Sequence, residues 1–239
     1  MRRCGAIKIA MKEILERNGI YLNEEAVKKL NDFRRILLEY NEKFNLTAIT
    51  DEEEIAVKHF ADSIKGLKFL PEKGKIIDVG SGAGFPSIPL IIASENDERE
   101  FVLLDSLKKR VDYLNGVINE LNLPRAVAVH ERAEDEGRKN RGIYDCVVAR
   151  AVAPLNVLVE YALPLLKVGG TLIAYKGQQT EEETENALNA LKILRGRIKS
   201  VEKYVLDGEY SRSFVIVEKT EETPIKYPRG QNKPRILPL

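Results

Sequence analysis

Residues 75–90 read KIIDVGSGAGFPSIPL, and this stretch decides the fold. The run IIDV (76–79) is rich in β-branched residues and predicts a buried strand. Gly80, Gly82 and Gly84 follow at alternate positions, and an apolar segment comes after them. Glycines let the backbone approach a ligand closely, and the start of a helix offers N–H groups without partners inside that helix. The stretch therefore predicts a strand, a ligand-binding loop and a helix in that order.

Further short β-branched runs follow, separated by helical patterns. They are FVLLD (101–105), AVAVH (126–130), YDCVVA (144–149) and TLIAY (171–175). Alternating strands and helices indicate an α/β protein with a parallel sheet. After a helix predicted near 181–195, runs near 198–206 and 213–219 are joined by the turn-like DGEYS, which predicts a closing antiparallel hairpin.

The chain before the first strand has a helical pattern over residues 6–70. An apolar stripe repeats there at three- and four-residue steps, with Asn23 as a suitable N-cap, and packing on a core is its simplest interpretation. The stripe consists of Val27, Leu30, Phe33, Leu37 and Tyr40. The predicted organisation is a helical extension (1–70), a sheet domain (71–223) and a C-terminal tail (224–239).

Composition narrows the class of protein. The 239 residues carry 38 Lys and Arg against 37 Asp and Glu, so the overall charge neither supports nor excludes an RNA partner. No stretch is apolar enough to span a membrane, and the two cysteines, Cys4 and Cys146, have no metal-site spacing. We expect a cytoplasmic monomer without a disulfide framework, a metal or a membrane partner.

The glycine loop departs from the dinucleotide pattern G-x-G-x-x-G/A. Counting from Gly80 the sixth residue is Phe85, and counting from Gly82 it is Ser87. A G-x-G-x-G loop after an acidic strand end, here Asp78, resembles instead the first motif of methyltransferases that use S-adenosyl-L-methionine. We expect that cofactor, with its amino-acid part at the glycines.

The ends of the next two strands supply further candidate contacts. Asp105 ends the second strand and can accept hydrogen bonds from both ribose hydroxyls. Ala133 and Glu134 follow the third strand, where a backbone N–H and a carboxylate can receive the adenine. The three strand ends are expected to line one cofactor site.

The methyl acceptor is limited by what the chain lacks. It has ARAVAPL (149–155) where amino-methylating enzymes usually carry (N/D)-P-P-(F/Y/W). Attack on carbon five of a pyrimidine needs a thiolate, but Cys146 lies in an apolar strand and is predicted to be a core residue. Guanine N7 carries a free lone pair and needs neither device.

Seven segments, in this order and spacing, resemble the RsmG family, also called glucose-inhibited division protein B. They are YNEKFNLTAIT (40–50), KHFADS (58–63), DVGSGAGFPSIPL (78–90), LLDSLKKR (103–110), RAE (132–134), ARAVAPL (149–155) and AYKG (174–177). The resemblance implies a class I methyltransferase: a Rossmann-like, mostly parallel seven-stranded sheet with a terminal antiparallel hairpin and an N-terminal helical extension. It further implies methylation of N7 of guanosine 527 in 16S ribosomal RNA, free or in the small subunit.

The resemblance also implies roles for individual residues. Gly80 and Phe85 would touch the cofactor, Asp105 would hold its ribose, and Ala133 and Glu134 would meet its adenine. Arg150 would face both the cofactor and the acceptor, and Lys176 and Arg212 fall at basic positions that the family shares.

The two ends of the chain form a candidate RNA patch. The basic residues are Arg2, Arg3, Lys8 and Lys12 at the start and Lys226, Arg229, Lys233 and Arg235 in the tail. The tail YPRGQNKPRILPL (227–239) differs from Y-P-R-x-x-G-x-P-x-K-x-P-L, since Asn232 replaces the glycine and Ile236 the lysine. Asn tolerates a positive φ, and Arg235 can supply the cation one place earlier.

Two alternative functions stay open at this point. One is an NAD-dependent oxidoreductase, against which the broken dinucleotide pattern argues. The other is a non-enzymatic RNA-binding or scaffold protein that keeps a silent nucleotide-binding fold.

Overall fold

A seven-stranded sheet forms the centre of the molecule in the computed structural model, which describes residues 10–94 and 98–239. The strands are β1 (Gly74–Val79), β2 (Arg99–Asp105), β3 (Ala126–His130), β4 (Tyr144–Arg150), β5 (Leu166–Lys176), β6 (Gly196–Leu206) and β7 (Tyr210–Lys219). Their order across the sheet is β3-β2-β1-β4-β5-β7-β6. The first five are parallel, and β7 pairs antiparallel with both β5 and β6.

Helices cover the sheet and precede it. They are α1 (Met11–Arg17), α2 (Glu24–Phe44), α3 (Glu52–Glu54), α4 (Asp62–Ile64), α5 (Ser87–Ala93), α6 (Lys108–Glu120), α7 (Ala133–Lys139), α8 (Leu155–Ala162), α9 (Thr180–Asn186), α10 (Leu188–Leu194) and α11 (Lys233–Ile236). A π-helical turn (Ile55–Ala61) joins α3 to α4, and a 3₁₀ turn (Lys65–Phe69) follows α4. We call the continuous run 52–69 the mixed helix.

The sheet confirms the predicted fold class. Each predicted strand is present, and the closing hairpin is β6 and β7. The second half of β1 is buried on both faces, as its run of β-branched residues requires in a central parallel strand. Burial alternates along β6, as expected of an edge strand with one face in solvent.

The N-terminal helices belong to the same core as one face of the sheet. The Asn23 side chain accepts a hydrogen bond from the Ala26 N–H at 2.8 Å and caps α2. Leu30, Phe33 and Leu37 are buried in the cluster that holds Ile88 of α5. The apolar stripe of α2 is therefore core packing, and the domain boundaries at 70 and 223 stay predictions.

The C-terminal tail folds back onto α7 and α8. The Arg229 guanidinium lies against the buried Glu160 carboxylate, with Nη2 at 2.6 Å from Oε2. Arg141 donates a hydrogen bond to the Tyr227 carbonyl at 2.7 Å and also bonds the carbonyls of Thr223 and Pro224. Asn232 has φ +59°, so an asparagine does occupy a left-handed position here.

Three further findings bear on the class of protein. Within residues 10–94 and 98–239, no helix is both long enough and apolar enough to cross a bilayer. The same part of the chain brings no three His, Cys, Asp or Glu side chains together as a metal site. Burial raises the pKa of the Cys146 thiol to about 12, which confirms it as an unreactive core residue.

Candidate active site

Strand ends at one edge of the sheet bring the predicted site residues together. The pairing places Asp105 beside His130, and Arg150 beside Tyr175. Because β7 runs antiparallel to β5, Ser213 near its start pairs with Lys176 at the end of β5. The residue before Ser213, Arg212, therefore lies at the same edge as Arg150 and Lys176. Ligands of open α/β sheets bind at this edge.

A cleft of about 300 Å³ lies over the ends of β1, β2 and β3. Its wall includes four of the predicted cofactor residues: Gly80, Asp105, Ala133 and Glu134. The loop after β4 and the C-terminal tail complete the wall, through Ala151, Val152, Asn232 and Arg235 among others. We call this space the cofactor cleft.

The glycine loop is shaped by its own hydrogen bonds. The Gly80 and Ser81 N–H groups donate to the Leu104 carbonyl, and those of Gly84 and Phe85 donate to the Ser81 carbonyl. A Cβ on Gly80 would lie 3.0 Å from Val152 Cγ2, so a glycine is needed for the loop to pass. The loop fits closely under the residues that follow β4.

Asp105 is one of two buried acids that line the cofactor cleft, the other being Glu134. The Asp105 side chain is 4% exposed, and its Oδ2 accepts the Gly82 N–H at 2.9 Å while Oδ1 accepts the Leu107 N–H at 2.9 Å. Arg110 Nη1 lies 3.5 Å from Oδ2. A carboxylate has about four lone-pair sites, so two backbone donors leave it able to accept from a ribose.

Not every predicted cofactor residue lines the cleft. Gly82 serves through the N–H that Asp105 accepts, whereas the Cα of Gly84 faces the core, where an added Cβ would lie 2.8 Å from Ile88 Cγ1. Phe85 is 5% exposed and packs in an aromatic cluster with Phe33. Gly84 and Phe85 thus support the loop from inside.

A second cleft of about 510 Å³ adjoins the first. Ala151 and Val152 line both clefts. Arg150, Lys176 and Arg212 all line the second one. We call it the acceptor cleft, and we call residues 151–154, between β4 and α8, the dividing loop. Ala151 holds φ +56°, an unfavourable value for a residue with a Cβ.

Arg150 is held in place by the mixed helix. Its Nη1 donates to Asp62 Oδ2 at 2.9 Å and to the Lys58 carbonyl at 3.1 Å. Asp62 is 3% exposed, and its Oδ1 accepts the Tyr204 hydroxyl at 2.8 Å. Arg212 Nε lies 3.7 Å from that same oxygen. One buried carboxylate therefore connects both arginines of the acceptor cleft.

His59 completes this network as a neutral ring. Its Nδ1 lies 3.1 Å from Arg150 Nη2, and because a guanidinium can only donate, Nδ1 must accept. The proton then sits on Nε2, which donates to Thr47 Oγ1 at 2.9 Å. Burial and the Arg150 charge lower the pKa of His59 to about 3. The ring also stacks on Phe85, with centroids 4.4 Å apart.

Lys176 fixes the dividing loop from the acceptor side. Its Nζ donates to the Ala153 carbonyl at 2.9 Å and to Glu183 Oε2 at 2.6 Å. The same Glu183 oxygen accepts the Leu155 N–H at 2.8 Å. The Lys176 side chain is 7% exposed. This geometry makes Lys176 a positioning residue for the loop.

Sequence reasoning missed the contribution of three of these residues. His59 and Asp62 stand within KHFADS, one of the segments that carry the family resemblance, but the sequence pattern assigns no role to either side chain. Glu183 lies in an acidic run at the start of α9 that has the appearance of an ordinary exposed helix end. Only the tertiary pairing reveals them.

Comparison with solved structures identifies the fold. The chain superposes on the O-methyltransferase from Bacillus cereus in complex with SAH with a TM-score of 0.57, at 15% identity, covering 79% of this chain and 91% of that one. A SAM-dependent methyltransferase from Aquifex aeolicus gives 0.54 at 18% identity, covering 73% and 97%. These identities support the fold alone, which is that of class I S-adenosylmethionine-dependent methyltransferases.

Sequence comparison identifies the family. The model for rRNA small subunit methyltransferase G (GidB) matches residues 26–215. A protein of that name from Alkaliphilus metalliredigens is 45% identical over 237 residues, covering 97% of this chain and 98% of the relative. Another, from Thermoanaerobacter sp., is 46% identical over 226 residues, covering 92% and 93%. The chain belongs to the rRNA small subunit methyltransferase G family and is an S-adenosylmethionine-dependent enzyme.

Family membership confirms the resemblance and the predicted cofactor, and decides against the oxidoreductase and the silent scaffold. The cofactor cleft also fits a cationic sulfonium ligand. Asp78 is fully buried beneath the glycine loop; Ser81 and Ser87 approach its carboxyl group, but within the described residues neither carboxylate oxygen has a partner at full hydrogen-bond geometry. Burial raises the pKa of Asp78 to about 7. A cation bound above would stabilise its ionised form.

Asp105→Ala should weaken binding of S-adenosylhomocysteine by about 5- to 150-fold, because lost hydrogen bonds in a buried site cost about 1 to 3 kcal/mol. Calorimetric titration of the folded variant measures the loss. Asp135→Ala, which removes an exposed carboxylate of α7, is the matched control and should bind normally. Full affinity in the Asp105 variant would overturn the ribose assignment.

Asp78→Asn should raise stability more at high pH than at low pH. The folded protein keeps the Asp78 proton up to about pH 7, whereas the unfolded chain releases it near pH 4, so its ionisation costs the parent stability as pH rises between these values. The gain from the substitution should grow by about 2 to 3 kcal/mol between pH 5 and pH 8. Urea unfolding measures it, with the exposed Asp112→Asn as control. A pH-independent difference would show that Asp78 is ionised throughout.

Proposed function

We propose that this protein transfers the methyl group of S-adenosylmethionine to N7 of a guanosine in 16S ribosomal RNA. Its relatives are named ribosomal RNA small subunit methyltransferase G, which supports an RNA substrate. One observation about the acceptor cleft carries the choice of atom: the described acids and bases that line it are already engaged within the protein.

Each candidate proton acceptor of the acceptor cleft has a partner. Asp62 accepts from Arg150 and Tyr204, and Glu183 accepts from Lys176 and the Leu155 N–H. Both ring nitrogens of His59 are bonded. An exocyclic amine or a hydroxyl must lose a proton when it is methylated, and this cleft is poorly equipped to take it. Guanine N7 has a lone pair at neutral pH and loses no proton.

The work of the protein is then to position and desolvate two reactants. When bound, S-adenosylmethionine supplies a methyl carbon on a positive sulfur, and the N7 lone pair forms the new bond as the carbon–sulfur pair returns to sulfur. The dividing loop lies between the two clefts and sets their separation. Lys176 holds its Ala153 carbonyl, and Asp62 fixes Arg150 beside it.

Base recognition must leave N7 open. An arginine usually contacts guanine through O6 and N7 together, and methyl transfer excludes that arrangement. Arg150 already donates to three acceptors within the protein, so two of its five N–H groups remain free to donate to O6 or to a phosphate. The target base must also leave its stack to enter the cleft, which favours an unpaired or flipped guanosine. The proposal places the reaction in the cytoplasm.

The proposed atom is tested with ribosomal RNA that carries 7-deazaguanosine at the target position. This base keeps O6 and the Watson–Crick edge but has carbon in place of the N7 lone pair. We expect near-normal RNA binding and no transfer of labelled methyl, while the unmodified RNA is methylated. Methyl incorporation into the 7-deaza RNA would place the reaction at another atom.

Arg212→Ala should weaken RNA binding and lower its salt dependence by about one counterion. Arg212 is a cation of the acceptor cleft with donors to spare: it donates to the Ser211 carbonyl, lies 3.7 Å from an Asp62 oxygen and stands over the Tyr210 ring. Binding titrations at several salt concentrations measure the slope. Arg197→Ala, at the far end of the same hairpin, is the control and should leave the slope unchanged. An unchanged slope in the Arg212 variant would assign this residue to folding.

A further inference from the structure

We propose that Arg235, in the C-terminal tail, is a cofactor-binding residue that faces the carboxylate of the amino-acid part of S-adenosylmethionine. The inference concerns the cofactor cleft, so it holds whichever RNA atom accepts the methyl group.

The position of the two clefts sets which way the cofactor lies. Ala151 and Val152 line both clefts, so the end of the cofactor cleft beside them is the end nearest the acceptor. The reactive methyl sits at the junction of the adenosyl and amino-acid parts. With Asp105 and Glu134 at the adenosyl end, the amino-acid part lies beside Gly80 and Val152.

The glycine loop has few donors left for a carboxylate. The N–H groups of Gly80 and Ser81 bond the Leu104 carbonyl, and that of Gly82 bonds Asp105. Those of Gly84 and Phe85 bond the Ser81 carbonyl. Each of these five N–H groups already has an acceptor inside the protein, and the N–H of Ala83, which has none among the described residues, belongs to a buried residue that does not line the cofactor cleft. A carboxylate at this end of the cleft therefore needs a side-chain donor.

Three arginines line the cofactor cleft, and their positions differ. Arg110 lies 3.5 Å from the Asp105 carboxylate, at the ribose. Arg132 is the N-cap residue of α7 and directly precedes Ala133, at the adenine. Arg235 Nη2 donates to the Val152 carbonyl at 2.8 Å, which places its guanidinium at the amino-acid end. Of the three, Arg235 alone stands where the carboxylate has to be.

The tail is built to hold Arg235 there. Arg229, six residues before Arg235, pairs with the buried Glu160. Asn232 has the left-handed backbone conformation at the start of α11. Pro234 is buried next to Arg235. Arg235 bonds the Val152 carbonyl and the Tyr161 side chain, and an arginine has five donors, so the guanidinium keeps donors for a ligand. A planar pair of N–H groups matches a carboxylate.

Arg235→Met tests the assignment through calorimetric binding of two ligands. One is S-adenosylhomocysteine, and the other is S-adenosyl-3-thiopropylamine, which lacks only the carboxylate. The variant should bind S-adenosylhomocysteine about 10- to 100-fold more weakly, as loss of a charged hydrogen-bonded pair predicts. Its affinity for the decarboxylated ligand should stay within about twofold of the parent.

Lys233→Met is the matched control, since it removes an exposed cation of the same tail, and it should bind both ligands like the parent. Thermal unfolding of each variant checks that the tail remains docked. Equal loss for both ligands in Arg235→Met would show that the residue only supports the dividing loop. Full affinity for S-adenosylhomocysteine would show that it contacts no carboxylate. Either result overturns the proposal.

Discussion

The acceptor half of the site depends on one buried carboxylate, that of Asp62. It lies on the mixed helix and receives Arg150 from β4, Tyr204 from β6 and, at longer range, Arg212 from β7. A buried charge is costly unless several partners meet it, so this arrangement tolerates little displacement of the helix against the sheet. The N-terminal helices are thereby part of the candidate active site as well as of the core.

Much of the fold followed from sequence because its signals are local. Strand runs, the Asn23 cap and the apolar stripe of α2 each depend on neighbouring residues, and each is present. The parallel order then places the ends of successive strands at one edge, so Asp105 and Glu134 could be expected in one cleft with Gly80. Arg212 lies at the same edge, in the acceptor cleft, because the last strand runs antiparallel, which the predicted hairpin already implied.

Other features could not follow from local patterns because they rest on distant partners. Asp62 and Tyr204 are far apart in sequence, and no local pattern around either residue predicts their contact. Phe85 stands in the glycine motif, yet its side chain packs in an aromatic cluster with Phe33 and Phe60 of the N-terminal helical region. The sequence of the tail predicts a run of exposed cations, but Arg229 pairs with the buried Glu160 and Arg235 lines the cofactor cleft. Of the N-terminal cations, Arg2, Arg3 and Lys8 lie outside the described residues.

The dividing loop is held by its carbonyls from opposite sides. Arg235 bonds that of Val152 from the cofactor cleft, and Lys176 bonds that of Ala153 from the acceptor cleft. The two clefts therefore share one wall, and displacement of that wall changes both. By thermodynamic linkage, if bound cofactor changes the affinity for RNA by some factor, bound RNA changes the affinity for cofactor by the same factor. The short connection after β4 is therefore the element through which occupation of one cleft is felt in the other.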